Sequence, residues 1–239
     1  MSSQKTPVKH RVYNEFVMES SRWDNFKSRP DDIIIATPAK CGTTWTQMIC
    51  ALLIFQKTEF DKRLTECSPW VDVLTTSADD VLNQLEQQTH RRFIKTHTPL
   101  DGLNYNAQTK YICVGRDPRD AFLSLKNHAE NMRPEALETL QKHATGEWHP
   151  PQPPLDDQCE WFRRWMSSSF SEQPGHDFHT DVLYYVNSFW RFKDLPNILM
   201  VHYSDLKADL AGEMKRIAEF LKIEVADALW PELVAAATF

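Results

Sequence analysis

No apolar run in this 239-residue chain approaches the ~20 residues that a membrane-spanning helix requires. The longest apolar-rich segment, Met48 to Phe55, falls far short of it. The stretch Met1 to Val17 has no continuous apolar core of the kind a secretory leader needs, and carries Lys5, Lys9, His10, Arg11 and Glu15 instead. Positive charge is not in excess either: 27 Lys and Arg against 33 Asp and Glu leave a net −6. The chain therefore has no overall field to draw in nucleic acid or an anionic membrane, and an anionic ligand has to be gripped locally. There is no Cys-x-x-Cys pair, and the five cysteines, Cys41, Cys50, Cys67, Cys113 and Cys159, are odd in number. Reduced thiols and a soluble, cytoplasmic protein are the expectation. Internal repeats and a Gly-x-Ser-x-Gly nucleophile elbow are also missing.

What is present is ordinary globular composition, 41% apolar and 25% charged, in a length that suits one domain over residues 1–239. Four short β-branched runs, Asp32 to Thr37, Arg92 to Thr96, Lys110 to Gly115 and Asn197 to Tyr203, read as strands buried on both faces. Helical periodicity appears over Thr44 to Phe55, Ser77 to Gln88, Pro118 to His128, His179 to Phe192 and Asp205 to Leu221. His149 to Pro154 reads as an extended surface loop. The alternation predicts an α/β fold: a central parallel sheet flanked by helices, with ligands at the carboxyl ends of the strands.

The chemistry-bearing residues follow those runs. After the first comes Lys40-Cys41-Gly42-Thr43-Thr44-Trp45, a turn opening a helix. Helix N-terminal amides, a glycine that lets the backbone approach, a lysine and two hydroxyls make a cradle for a phosphate-like group. The Lys precedes the Gly and the first Gly is missing, so the loop departs from the nucleoside-triphosphate pattern. Thr43 and Thr44 also suit simple helix capping, and an indole at Trp45 packs in cores more often than it shelves a base. After the second run, Lys95 and His97 alternate along an extended chain and so face one side. A histidine there suits proton abstraction and a lysine suits stabilisation of negative charge, while a structural His before Pro99 is the plainer reading. Arg116 follows the third run and suits bidentate phosphate binding; Asp117 before Pro118 reads as a helix cap. His176 and His179 have a spacing that suits a cation but lack a third ligand, so no metal is expected.

Together, Lys40 to Trp45, Lys95-Thr96-His97-x-Pro99, Arg116 with Ser124, and His202-Tyr203-Ser204-Asp205-Leu206-Lys207 resemble the cytosolic-type sulfotransferases, over roughly Trp23 to Ile223. The resemblance implies a P-loop-like α/β fold and 3′-phosphoadenosine 5′-phosphosulfate (PAPS) as donor. It further implies Lys40, Cys41, Gly42, Thr43 and Thr44 around the 5′-phosphosulfate, Trp45 against the adenine, Arg116 and Ser124 on the 3′-phosphate, Tyr203 near the base, and His97 as catalytic base. Cys41 and Ala39 stand where the family usually has Ser and Pro. The basic, glycine-containing loop that family members place on the 3′-phosphate does not follow Leu221 here, so the expectation is a domain lacking that closing segment, with weakened donor binding.

The resulting reading is in-line sulfuryl transfer to a hydroxyl or amine of a small-molecule acceptor, with Lys40 and Lys95 stabilising charge and no metal required. Trp70, His128, Trp148 and Phe170 are candidates for an apolar acceptor pocket and equally candidates for packing. A P-loop-related small-molecule kinase, with Asp117 organising Mg²⁺, and a catalytically impaired nucleotide-binding remnant are the alternatives.

Overall fold

Ile33, Ile34 and Ile35 are all within 3% of complete burial, which requires protein on both faces of their strand. The computed structural model describes residues 5–145, 148, 153–167 and 182–238. In it, β3 (Ile33–Ala36) lies between β4 (Phe93–Thr96) and β5 (Lys110–Gly115), and β6 (Ile198–His202) pairs with β5. All three pairings are parallel, giving one sheet of order β4-β3-β5-β6. A separate hairpin, β1 (Asn14–Glu15) and β2 (Met18–Glu19), precedes it.

Strand side chains alternate in direction, and the two sets fill different cores. Ile33 and Ile35, with Phe93, Ile112 and Val114, pack against α1 (Thr43–Phe55), α9 (Leu210–Leu221) and α10 (Trp230–Ala236). Ile34 and Ala36, with Ile94, Tyr111 and Cys113, pack against α3 (Ala78–Glu86) and α7 (Val182–Trp190). A third core joins Cys41 to α4 (Pro118–Glu130) and α6 (Gln158–Ser167), with Phe122 against Trp161 and Trp165. Two short helices, α2 (Leu64–Cys67) and α8 (Tyr203–Ala208), and α5 (Pro134–His143) complete the α-helices among the described residues.

The four expected strands are present, trimmed by a residue or two at some ends. The helix expected over Asp205 to Leu221 is two helices. Asp209 takes extended backbone between them (φ −145°, ψ 79°), and its carboxylate accepts from Gly212 N–H at 2.8 Å to start α9. This capping bond rewards a break that apolar spacing alone does not reveal. Residues 179–181 of the helix expected over His179 to Phe192 lie outside the described residues, as do His149, Phe170, His176 and Asp177. Helices α5 and α6 carry no expectation from the sequence. No helix among the described residues is long and apolar enough to cross a membrane.

At the amino end of the sheet, Arg92 and Asp32 are 1% and 2% exposed and pair bidentately, Nε to Oδ1 at 2.8 Å and Nη2 to Oδ2 at 2.5 Å. Arg92 Nη2 also donates to Lys27 O. Removing one partner strands the other charge in a dry site. Asp32→Ala is therefore expected to lower unfolding free energy by about 3–5 kcal/mol, read as a lower urea midpoint. A loss within experimental error shows that water reaches this pair.

Candidate active site

The turn between β3 and α1 holds two unusual backbone angles. Lys40 has φ +64° and Gly42 φ +103°, and Gly42, which has no side chain to cap with, is the N-cap of α1. The N-terminal end of α1 is the positive end of its dipole and suits an anion. A Cβ on Gly42 would lie 3.0 Å from Cδ2 of Tyr203 and 3.8 Å from Val114 Cγ1, so the turn admits no side chain without displacement. Thr43 is buried, its Oγ1 2.5 Å from Thr37 Oγ1, while Thr44 is exposed in the first turn. Cys41 is fully buried and its thiol is pushed up to about 12 by that burial, so it packs rather than reacts.

The ends of β4 and β5 bring further groups to the same place. Arg116 donates from Nη1 to Lys40 O at 2.9 Å, and its guanidinium lies over the Tyr203 ring at 4.2 Å. Its Nε is buried and makes no hydrogen bond among the described residues. Tyr203 in turn meets Trp45 edge-on, with centroids 5.3 Å apart. Trp45 is 6% exposed and donates from its indole N–H to Ala237 O at 2.8 Å, so it is a core residue whose ring also borders the site. Ser124 is partly exposed, seven residues into α4.

His97 is buried, 4% exposed, and its Nδ1 is 2.6 Å from Thr37 O. A carbonyl only accepts, so Nδ1 carries the hydrogen and the neutral ring keeps its lone pair on Nε2, the tautomer a general base needs. Trp70 joins His97 to Lys95: its ring meets the imidazole edge-on at 4.7 Å, and the Lys95 ammonium sits 3.8 Å from its centroid. Lys95 is lowered to about 8, first by loss of water and then by Lys40, with Asp72 opposing. Lys40 is lowered by burial and by Arg116. His128 is lowered by burial, Lys40 and Lys95, which places it at the same cluster. Asp117 is the cap of α4, accepting from Arg119 N–H at 2.9 Å and bound also by the Arg119 side chain, an arrangement that holds its carboxyl down at about 2.

The structure thus gathers Lys40, Gly42, Thr43, Lys95, His97, Arg116 and Tyr203 at the carboxyl edge of one sheet. The sequence reading did not identify Thr37, whose carbonyl sets the His97 tautomer, or Asp72. Both act through tertiary contacts that no motif records.

A family model described as "Sulfotransferase domain" matches residues 30–239. The chain belongs to that family. The glycolipid sulfotransferase of Mycobacterium bovis (strain BCG / Pasteur 1173P2) is 38% identical over 239 residues, covering 93% of this chain and 73% of the relative. Sulfotransferase 1E1 of Cavia porcellus is 26% identical over 249 residues, covering 95% and 71%. Among solved structures, retinol dehydratase in complex with androsterone and inactive cofactor PAP superimposes with a TM-score of 0.67 at 21% identity, over 92% of this chain and 67% of that one. That likeness shows a shared fold. The protein is a sulfotransferase, transferring a sulfuryl group to a small-molecule acceptor.

In this sulfotransferase, Gly42→Ala combines a strained φ with a close contact at Tyr203. It is expected to lose about 1–3 kcal/mol of stability and to weaken anion binding, measured by urea unfolding and by calorimetric titration with adenosine 3′,5′-bisphosphate. Unchanged stability contradicts the packing of Tyr203 on this turn.

Proposed function

We propose that the sulfotransferase takes its sulfuryl group from PAPS and delivers it to a hydroxyl of a small amphipathic acceptor, of which glycolipids are the leading class. The observation that carries this reading is the convergence of Lys40, Lys95, His97 and Arg116 beside the N-terminus of α1. The residues fit the donor: a glycine turn in which a Cβ crowds Tyr203, the N-terminus of α1, and a buried Arg116 Nε that makes no hydrogen bond among the described residues. On this reading the α1 amides, Lys40, Thr43 and Thr44 hold the phosphosulfate. Tyr203, with Trp45 against its edge, borders the adenine, and Arg116 and Ser124 take the 3′-phosphate. The acceptor class rests on the mycobacterial relative, whose name is glycolipid sulfotransferase.

The chain's own groups then divide the work. His97 Nε2 takes the proton of the acceptor hydroxyl as that oxygen bonds to sulfur. The bond from sulfur to the 5′-phosphate oxygen breaks in the same direction, and Lys40 and Lys95 offset the charge that gathers on the leaving bisphosphate. Lys95 serves while protonated, so turnover is expected to decline as pH rises through about 8; a rate that stays flat to well above that pH removes Lys95 from the chemical step.

Two outcomes test the whole reading. Adenosine 3′,5′-bisphosphate is expected to bind without added metal and more tightly than ATP, because Arg116 and Ser124 have no partner on a free 3′-hydroxyl. Equal affinity or strict Mg²⁺ dependence favours a kinase. His97→Ala is expected to reduce turnover by ~10²–10⁴-fold with bisphosphate affinity nearly intact, and normal turnover of the folded variant excludes His97 as base.

A further inference from the structure

Asp72 takes no part in the chemistry proposed above, yet it is completely buried against Thr96 and Thr98, the neighbours of His97. It follows Trp70 in the segment between α2 and α3, and that segment is clamped to the N-terminal hairpin: Glu19 N–H donates to Asp72 O at 2.8 Å and Leu74 N–H to Val17 O at 2.8 Å. The carboxylate reaches β4. Oδ2 accepts from Thr96 Oγ1 at 2.6 Å and from Thr98 Oγ1 in a very short bond. Thr96 Oγ1 itself accepts from Thr98 N–H at 2.9 Å, so its own hydrogen is committed to Asp72. Both hydroxyls therefore meet the same oxygen of the Asp72 carboxyl. Thr96 and Thr98 are the two neighbours of His97 in the chain, and both are fully buried.

We propose that Asp72 is a positioning residue for sulfuryl transfer, locking the backbone on either side of His97 through Thr96 and Thr98 and burying a carboxylate against the strand that carries Lys95. The proposal rests on the function proposed above. With both neighbours tethered, the imidazole is held against Thr37 O from the opposite side of the strand end, and Nε2 keeps one direction. The charge argument follows from the surroundings of Lys95. Lys40 from the β3–α1 turn and His128 from α4 face it as cations or potential cations, Trp70 covers it with a ring, and Asp72 is the carboxylate that opposes them. Asp72 is faced by Lys95 and by Arg22, which is buried and anchored to Val73 O and Thr76 O, and by Tyr185 of α7. Burial pushes the Asp72 carboxyl up, and the hydroxyls of Thr96 and Thr98 oppose that rise.

The test compares the full chain with Asp72→Asn, Asp72→Glu and Thr98→Val. Transfer from PAPS is followed to octyl β-glucoside and to 4-nitrophenol. The Lys95 side chain is titrated by ¹³C-lysine NMR, its signal assigned with Lys95→Arg. Asp72→Asn is expected to lower kcat about 10–100-fold with bisphosphate affinity within twofold, and to move the Lys95 midpoint down by about one unit. The alkaline limb of the rate profile moves with it. Asp72→Glu, which keeps the charge, returns the midpoint towards its original value. Thr98→Val lowers kcat while leaving the Lys95 midpoint in place, and it carries the positioning half of the test if Asp72→Asn does not fold. A wild-type kcat in either folded variant, or a Lys95 midpoint unmoved in Asp72→Asn, overturns the proposal. Failure of the wild-type chain to transfer sulfuryl to either acceptor counts against the proposed function instead, and the Lys95 midpoint still reads the charge at Asp72.

Discussion

Because Ile33 and Ile35 fill one core while Ile34 and Ala36 fill another, β3 cannot slip by one residue without exchanging the contents of both. That two-sided burial forces each connection to cross over a face of the sheet and return parallel, so every strand delivers its carboxyl end to the same edge. The turn before α1, the Lys95–His97 pair and Arg116 meet for this reason. Each lies at the end of a different strand, and separations of dozens of residues in the chain become contacts of a few ångströms, such as Arg116 to Lys40 O.

A site built this way concentrates cations. Lys40, Lys95 and Arg116 crowd together in a partly dry space, and the two lysines are held below their ordinary range as a result. Such crowding is unfavourable until an anion arrives, which makes binding of a multiply charged donor and the readiness of the site two sides of one electrostatic arrangement. The negative net charge of the whole chain does not conflict with it, because a few well-placed groups in low dielectric outweigh many that are screened at the surface.

Several elements were legible in the residues alone. The strands declared themselves through short β-branched runs of nearly continuous apolarity, and the turn that opens α1 through Gly42 and the hydroxyls after it. The Asp117 cap followed from its place before Pro118. Other features had no local signal. The break at Asp209 depends on a side chain finding Gly212 N–H, which competes with a helical spacing that continues straight through. Trp45 reads as core or as a shelf for a base until the structure shows its N–H on Ala237 O, 192 residues away in sequence.

The sequence by itself determined the fold class and the edge of the sheet to which Lys40, His97 and Arg116 are delivered, because periodicity and strand-end motifs are local properties of the chain. Only the tertiary structure decided which nitrogen of His97 holds its hydrogen, how far Lys95 is stripped of water, and that Asp72 lies behind both. Protonation state and orientation are set by what surrounds a group in space. Those surroundings come from segments that share no spacing with it along the chain.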